Sequence, residues 1–306
     1  MVKNDSHNQI LTCLIGDPVE HSVSDVMFQY FANIVGLSNY KHVKLHVKRK
    51  NVQSLKNAIN GLVSLSFRGA NVTLPYKQEV IQYLDFIDKS AQQVGAVNTI
   101  TIKDGKLRGY NTDMYGAVKS IETKLRKIRK SDNILVLGAG GAARAVIGSL
   151  PKVSKISVLS IFSNKEAMKK FQHDFLKIGI QLNTDSINDQ KLVDAVKDAD
   201  FIINTTPVGM YPKVDGSVLK KKHFDILKRD VVFSNKYFFD AVFNPFETEF
   251  LKLAKKYGSK TCPGIYMMIN QGMKAFNLWT GKIIPSNKVE SIKKLLQSEL
   301  NNKYGK

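Results

Sequence analysis

The sequence contains few cysteines and no long apolar run. Its two cysteines, Cys13 and Cys262, cannot form a disulfide framework, and neither stands at metal-ligand spacing from another ligand. No stretch approaches the roughly 18 uninterrupted apolar residues of a membrane span. The N-terminal residues are polar and lack the apolar segment of a signal peptide. These absences argue against a disulfide-rich secreted protein and a membrane protein, and they predict a cytoplasmic protein without a metal site.

Acidic residues are scarce relative to basic ones. The chain has 26 Asp and Glu against 46 Lys and Arg, a formal net charge of +20. Such a surplus attracts polyanions, so nucleic-acid binding is one hypothesis. However, most basic residues are Lys, and the densest runs, 119–130 and 220–229, alternate with apolar positions as solvated helix faces do. We therefore expect a generic basic surface that favours an anionic substrate and cofactor, without a nucleic-acid partner. Salt-sensitive retention of DNA would support the alternative.

The middle third of the chain alternates apolar strands with helix-like segments. The strands are predicted at 134–137, 156–162 and 201–203, and the helices between them at 142–150 and 165–178. This rhythm is typical of a parallel sheet covered by helices. The middle third of the chain is therefore predicted to form a Rossmann-like domain.

The remainder of the chain predicts a second α/β domain. The first third alternates short strands, such as 69–74, with helical segments, such as 79–87, and the tail from Met267 onward is helical. A chain of 306 residues usually divides into two domains. We assign the first domain to residues 1–112 with 264–306, because the tail is expected to pack back on it. The second domain is assigned to residues 113–263.

A glycine motif directly follows the predicted strand 134–137. Residues 138–143 read G-A-G-G-A-A and open a helix, which is the context that a dinucleotide-binding motif requires. Gly138 allows the tight turn, Gly140 lets the backbone approach a pyrophosphate, and Ala143 keeps the helix close to the strand. The helix N-terminus would present N–H groups to the phosphates. The predicted cofactor-binding residues of this turn are Gly138, Ala139, Gly140, Gly141 and Ala142.

The end of the second strand does not decide between the two nicotinamide cofactors. An acid there would bond a ribose 2′-hydroxyl, whereas basic groups would accommodate a 2′-phosphate. The segment contains Ser163, Asn164, Lys165 and Glu166. It has no arginine, and the charges of Lys165 and Glu166 oppose each other. These four residues are predicted to contact the cofactor, and the choice between the two nicotinamide cofactors is left open.

A second motif lies in the first third of the chain. Residues 69–77 read G-A-N-V-T-L-P-Y-K, which places Asn71 and Thr73 on the same side of a strand, with Lys77 just past a proline turn. This string closely resembles the substrate-site signature of the shikimate dehydrogenase family. Further segments resemble that family in the same order, at 16–24, 95–99, 109–113, 138–144, 204–210, 240–248 and 264–271.

The resemblance implies an oxidoreductase that reversibly reduces 3-dehydroshikimate to shikimate, in the pathway to chorismate and aromatic amino acids. It implies NADP as the default cofactor, with NAD as an alternative, and a substrate-binding N-terminal domain. Lys77 and Asp113 would form the catalytic pair, and Thr205, in a nicotinamide-side loop, and Gly264 would bind the cofactor. Ser22 and Ser24 would hold the substrate carboxylate by hydroxyl hydrogen bonds. The ring hydroxyls would be bound by Asn71, Thr73, Asn98 and Gln271.

Some positions depart from the family pattern. Met114 replaces the glycine common after the catalytic aspartate, and Phe243 replaces a tyrosine. Residues 163–165 lack the arginine that usually grips a 2′-phosphate, and the spacing of Glu166 is more similar to the quinate/shikimate branch, which can use NAD. The alternatives are therefore a quinate/shikimate dehydrogenase with dual cofactor use, and a catalytically inactive dinucleotide-binding regulator. Whether the protein is a monomer or a homodimer is left open.

Overall fold

A computed structural model describes residues 9–49, 53–151, 153, 155–161 and 164–304 of the chain. It divides into two compact units. Unit 1 consists of Met1–Thr112 and Gln271–Lys306, and unit 2 consists of Asp113–Asn270.

The described residues form the following strands and helices. The strands are β1 (Ile10–Gly16), β2 (Tyr40–His46), β3 (Gly69–Val72), β4 (Phe86–Ile87), β5 (Thr99–Lys103), β6 (Lys106–Tyr110), β7 (Asn133–Leu137), β8 (Lys155–Ser160), β9 (Asn183–Ser186), β10 (Phe201–Asn204), β11 (Tyr237–Asp240) and β12 (Lys260–Cys262). The helices are α1 (Ser24–Ile34), α2 (Gln53–Ser64), α3 (Lys89–Val94), α4 (Thr112–Lys124), α5 (Gly141–Ser149), α6 (Lys165–Leu176), α7 (Asp189–Asp198), α8 (Lys221–Leu227), α9 (Glu249–Lys256), α10 (Ile265–Thr280) and α11 (Val289–Tyr304).

Unit 1 contains a mixed six-stranded sheet in the order β2-β1-β3-β5-β6-β4. Strand β1 pairs in parallel with β2 and β3, and β3 continues into the antiparallel ladder of β5 and β6. Cys13 and Ile15 of β1 and Val72 of β3 are buried in one apolar cluster. Because β1 and β3 are neighbouring parallel strands, their carboxyl ends lie at the same edge of the sheet.

Two local predictions for this unit were wrong. Residues 79–87 were predicted to be helical, but they form a short 3-10 helix (Glu79–Tyr83) followed by strand β4. The Asp85 N–H donates to the Leu107 carbonyl at 3.0 Å, so pairing with β6 replaces a continued helix. The strand predicted at 69–74 ends at Val72, and Thr73 already belongs to the turn that follows.

Unit 2 contains the parallel sheet that the sequence predicted, in the order β12-β11-β10-β7-β8-β9. All of its pairings are parallel. This is the doubly wound order of a dinucleotide-binding fold, with strand order reversing between β7 and β10. Ligands of such sheets bind outside the carboxyl ends of the strands at that reversal. The Rossmann-like architecture is therefore confirmed, and it directs attention to the residues after β7 and β10.

The chain passes from unit 1 to unit 2 between Thr112 and Asp113, and returns between Asn270 and Gln271. The sequence placed the return at residue 264, before the tail helix. Helix α10 instead runs without interruption across the return, so its first turns belong to unit 2 and the rest to unit 1.

None of the helices in the described ranges is both long and apolar enough to cross a membrane. Within the same ranges, no group of three or more His, Cys, Asp or Glu side chains could hold a metal ion.

Candidate active site

The first element of the site is the serine loop, residues 17–24, which connects β1 to α1. Its start lies against the turn that follows β3, because the Asp17 N–H donates to the Leu74 carbonyl at 3.0 Å. A Cβ on Gly16 would lie 2.3 Å from Cγ2 of Thr73, so only glycine allows this approach. Gly16 thus allows the serine loop to lie beside the Asn71–Lys77 segment.

Ser22 and Ser24 lie together at the start of α1. The Ser24 N–H donates to Oγ of Ser22 at 3.1 Å. The side chain of Ser24 is buried, and its Oγ has no hydrogen-bond partner among the described residues. A buried hydroxyl without a partner costs free energy, so it indicates that something else completes the site.

The second element is a buried network of amides and hydroxyls in unit 1. The Asn71 side-chain amide donates to the Asn98 carbonyl at 3.1 Å and to Oγ1 of Thr99 at 3.0 Å. Nδ2 of Asn98 donates to Oγ1 of Thr112 at 3.0 Å, and the Thr112 hydroxyl donates to Oε1 of Gln271 at 3.2 Å. Three residues predicted as ring-hydroxyl ligands, Asn71, Asn98 and Gln271, therefore meet in one network.

Thr99 and Thr112 connect this network, although sequence reasoning assigned them no role. Oδ1 of Asn98 accepts bonds from the Thr112 N–H at 2.7 Å and from the Thr99 hydroxyl at 3.1 Å. Both threonines directly follow an asparagine within motifs already noted, G-A-V-N-T and G-Y-N-T-D, and that repeated N-T pair was the available signal. Because both sides of its amide are engaged, Asn98 holds the network together.

The predicted catalytic residues fall in different units. Lys77 is half-buried in the turn after β3, where its carbonyl accepts from the Val97 N–H at 2.7 Å. Thr73 is half-buried in the same turn, with its N–H bonded to the Ile15 carbonyl at 2.9 Å. Asp113 is the second residue of α4 and is also half-buried. The backbone of this turn is thus bonded to β1 through Thr73 and to the segment just before β5 through Lys77.

The third element is the glycine turn after β7. Gly138 has a φ of +107°, and a Cβ there would lie 2.8 Å from Oγ1 of Thr205. Gly140 is the N-cap of α5 and has no side chain to cap the helix, while Gly141 begins it. An added Cβ on Gly140 or Gly141 would meet nothing within 4 Å. Ala139 and Ala142 are half-buried beside them. The turn therefore offers exposed backbone N–H groups at a helix N-terminus, which suits a pyrophosphate.

Thr205 closes the opposite side of the turn. Its N–H and its hydroxyl both donate to the Leu137 carbonyl, at 2.9 and 2.7 Å. These bonds tie the end of β10 to the end of β7 at the reversal of strand order. Thr205 thus shapes the turn through its contacts with the protein backbone.

A buried carboxylate supports the loop after β10. Asp240 accepts bonds from Nδ2 of Asn204 at 3.0 Å, from the Val242 N–H at 3.0 Å and from the Thr248 hydroxyl at 2.5 Å. Oδ1 of Asn204 in turn accepts from the Thr206 hydroxyl at 2.7 Å. Burial raises the pKa of the Asp240 carboxyl to about 6, although the three donors favour its ionised form.

This carboxyl predicts a pH dependence of folding stability. Because its folded pKa lies above its usual value, its contribution is complete at acid pH and is lost as the pH rises through about 6. The unfolding free energy of the native protein, relative to that of Asp240→Asn, should fall by up to about 3 kcal/mol between pH 4 and pH 7. Urea unfolding at several pH values measures this, with the exposed Asp194→Asn on α7 as control. A difference that stays constant with pH would contradict the assignment.

Gly264 is required by close packing. A Cβ there would lie 2.5 Å from the carbonyl oxygens of both Ala241 and Val242. Its own carbonyl accepts from the Met268 N–H at 3.0 Å in the first turn of α10. The glycine thus lets the start of α10 lie against the backbone that follows β11.

The segment after β8 contains a helix-capping residue followed by two residues of opposite charge. Asn164 is the N-cap of α6, and its side chain accepts from the Ala167 N–H at 3.0 Å. Lys165 and Glu166 are exposed in the first turn of that helix. Ser163, which was also predicted to contact the cofactor, lies outside the described residues. The asparagine side chain therefore caps the helix, and the two charged side chains are exposed in its first turn.

Comparison with known proteins agrees with these features. A family model described as the shikimate dehydrogenase substrate binding domain matches residues 14–100. The NADP(+) shikimate dehydrogenase of Methanosphaera stadtmanae is 40% identical over 273 residues, which cover 89% of this chain and 92% of that protein.

Solved structures agree along the whole length. A shikimate dehydrogenase in complex with NADP+ has a TM-score of 0.81 and 36% identity, covering 95% of this chain and 96% of that one. The Listeria monocytogenes shikimate 5-dehydrogenase in complex with shikimate and NAD has a TM-score of 0.83 and 28% identity, covering 97% and 99%.

A doubly wound parallel sheet with a glycine turn at its strand-order reversal, joined to a second α/β unit with a buried amide network, defines a dinucleotide-dependent oxidoreductase. The chain belongs to the shikimate dehydrogenase family.

Proposed function

We propose that this protein catalyses the reversible reduction of 3-dehydroshikimate to shikimate with NADP(H). The observation that carries the proposal is the buried Oγ of Ser24, which has no partner in the described residues, on the loop next to the Asn71 network. A carboxylate is the expected partner of such a hydroxyl. A substrate with a carboxylate and several ring hydroxyls would use both the serine loop and the Asn71 network.

The substrate-binding roles follow from the atoms that remain for a ligand. Both N–H groups of the Asn71 side chain donate within the network, so its Oδ1 is the atom left to accept a bond from a ring hydroxyl. Ser22 and Ser24 donate hydroxyls to the carboxylate, while Thr73 and Gln271 contact ring hydroxyls. Asn98 takes part by holding Thr112 and Gln271 in place.

Reduction of the ketone requires a proton at the carbonyl oxygen as a hydride reaches the carbonyl carbon. When bound, the reduced nicotinamide supplies that hydride. We assign the donation of this proton to the Lys77 ammonium, which also stabilises the developing alkoxide, and we assign Asp113 the role of orienting that ammonium. In the reverse direction Lys77 accepts the proton of the shikimate hydroxyl.

The cofactor is proposed to be NADP, because the relatives that match this chain are named for it. The glycine turn would bind its pyrophosphate, and Lys165 offers a charge to the 2′-phosphate. Glu166 opposes it, and NAD is bound in the Listeria enzyme. We therefore expect a preference below about a hundredfold, under about 2.7 kcal/mol.

The Glu166→Ala enzyme should shift further toward NADP. Removing one exposed like charge near a phosphate is worth roughly 1 kcal/mol, or about fivefold in kcat/KM. The measurement is kcat/KM for both cofactors, with Asp194→Ala, which removes an exposed acid on α7, as the matched control. An unchanged ratio would show that Glu166 points away from the nucleotide.

A single spectrophotometric assay tests the proposed function. Reduction of NADP+ and NAD+ is followed with shikimate and with quinate in a crossed design. Turnover of shikimate with NADP+ supports the proposal, while faster turnover of quinate identifies the quinate/shikimate alternative. The absence of turnover in all four combinations would favour an inactive regulator and overturn the proposal.

A further inference from the structure

The serine loop is held by an unusual set of contacts to its backbone. Three consecutive carbonyls of the loop each accept a bond from a side chain of another element. Nζ of Lys303 donates to the Glu20 carbonyl, the Tyr304 hydroxyl donates to the His21 carbonyl at 3.0 Å, and Nζ of Lys44 donates to the Ser22 carbonyl at 3.1 Å.

Two of these three donors belong to the last turn of α11, at the end of the described chain. The third belongs to β2, where Lys44 also pairs with Asp25 at 3.0 Å. The Tyr304 hydroxyl lies 3.2 Å from Nδ1 of His21 as well, so the helix end contacts both backbone and side chain of the loop. We call Lys44, Lys303 and Tyr304 the carbonyl latch.

The latch also concentrates positive charge. Lys303 and Lys44 donate to carbonyls two residues apart in the loop. Burial and the charge of Lys44 both lower the pKa of the Lys303 ammonium, while Asp25 and Glu20 oppose that shift. A carboxylate bound at Ser22 and Ser24 would be attracted by these two ammonium groups, which donate to carbonyls of the loop that binds it.

The side chains of the loop are restrained separately. His46 of β2 contacts Oδ1 of Asp17 at 2.6 Å and Oε1 of Glu20 at 2.8 Å. Loop residues 17–20 are thus held by His46, while the carbonyls nearest to Ser22 and Ser24 depend on the latch. Removing the latch should therefore loosen the serine end of the loop and leave its start in place.

We propose that the carbonyl latch positions the serine loop for the substrate carboxylate, so that the last helical turn of the chain sets the affinity for substrate. The proposal rests on the function proposed above. Lys303 and Tyr304 are positioning residues, since they act through the loop backbone.

Kinetics of the Lys303→Met/Tyr304→Phe variant test this role. We expect KM for shikimate to rise at least about tenfold, because a small displacement of a binding group has large effects. The kcat and the KM for NADP+ should stay within about threefold of the native values. With shikimate methyl ester, whose neutral carbonyl accepts weaker hydrogen bonds than a carboxylate, the rise in KM should be clearly smaller. Lys294→Met, an exposed position on α11, is the control.

Unchanged KM for shikimate, or an equal rise for shikimate and its ester, would overturn the latch. Amide hydrogen exchange gives a readout that does not depend on turnover: exchange should accelerate in peptides covering residues 20–25 and stay unchanged across β5 and β6. Tyr304→Phe alone, which keeps the ring, serves for this measurement if the double variant does not fold. Lack of turnover by the native protein would refute the proposed function, whereas unchanged exchange would refute the latch.

Discussion

Replacing Lys77 by alanine is expected to lower kcat for shikimate oxidation by about 10²- to 10⁴-fold, the range for a positioned acid or base. Lys77 lies in the turn that follows β3, the strand that carries Asn71, and its carbonyl accepts from the Val97 N–H. Its loss removes the proton donor and the stabilising charge while the amide network stays in place. The KM for NADP+ should barely change, because the glycine turn belongs to the other unit.

Initial rates with both substrates varied measure this effect. Lys89→Ala, which removes an exposed lysine at the start of α3 in the same unit, is the matched control and should behave as the native enzyme. Near-normal turnover of the Lys77→Ala enzyme would remove Lys77 from the mechanism. Asp113 would then be left without the group it is proposed to orient.

The second large effect concerns the substrate carboxylate. In the Ser22→Ala/Ser24→Ala enzyme, KM for shikimate should rise by about 10²- to 10⁴-fold, because each hydrogen bond to a charged group is worth roughly 1.5–3 kcal/mol. Folding should be preserved, since Oγ of Ser24 has no partner among the described residues and Oγ of Ser22 accepts one backbone bond.

Steady-state kinetics and thermal unfolding of the same variant separate binding from stability. Ser298→Ala on the exposed face of α11 is the control for a lost hydroxyl. A double variant that keeps its KM would show that the carboxylate binds elsewhere in the protein. The proposed occupant of the buried Ser24 hydroxyl would then be wrong as well.

These two predictions also distinguish the proposed enzyme from the two alternative functions. A dinucleotide-binding regulator would bind NADP without turnover, so neither substitution would change a rate. A quinate/shikimate enzyme would show the same two losses with quinate, because both substrates carry a carboxylate and ring hydroxyls. The net charge of +20 is compatible with either, since an anionic cofactor and an anionic substrate both benefit from a positive field.

The sequence by itself determined the architecture of unit 2. Short apolar strands followed by helical periodicity predict parallel pairing wherever both faces of a sheet are covered. The glycine at position 138 was predictable from local backbone geometry, because its φ of +107° lies in a region that favours glycine. Helix bounds such as Lys165–Leu176 lie within two residues of the prediction.

Tertiary structure decided what local pattern could not. Residues 79–87 have helical periodicity, but pairing with β6 turns their end into a strand. Asn98 and Gln271 are 173 positions apart, and they meet only because α10 returns to the first unit. The same applies to the carbonyl latch, where Lys303 and Tyr304 reach a loop 283 positions away. Local propensity sets the backbone of each element, whereas a side chain's hydrogen-bond partner depends on which elements pack together. The sequence could therefore identify the polar residues of the site. The packing of β1, β3, α10 and α11 decides which of these residues contact one another.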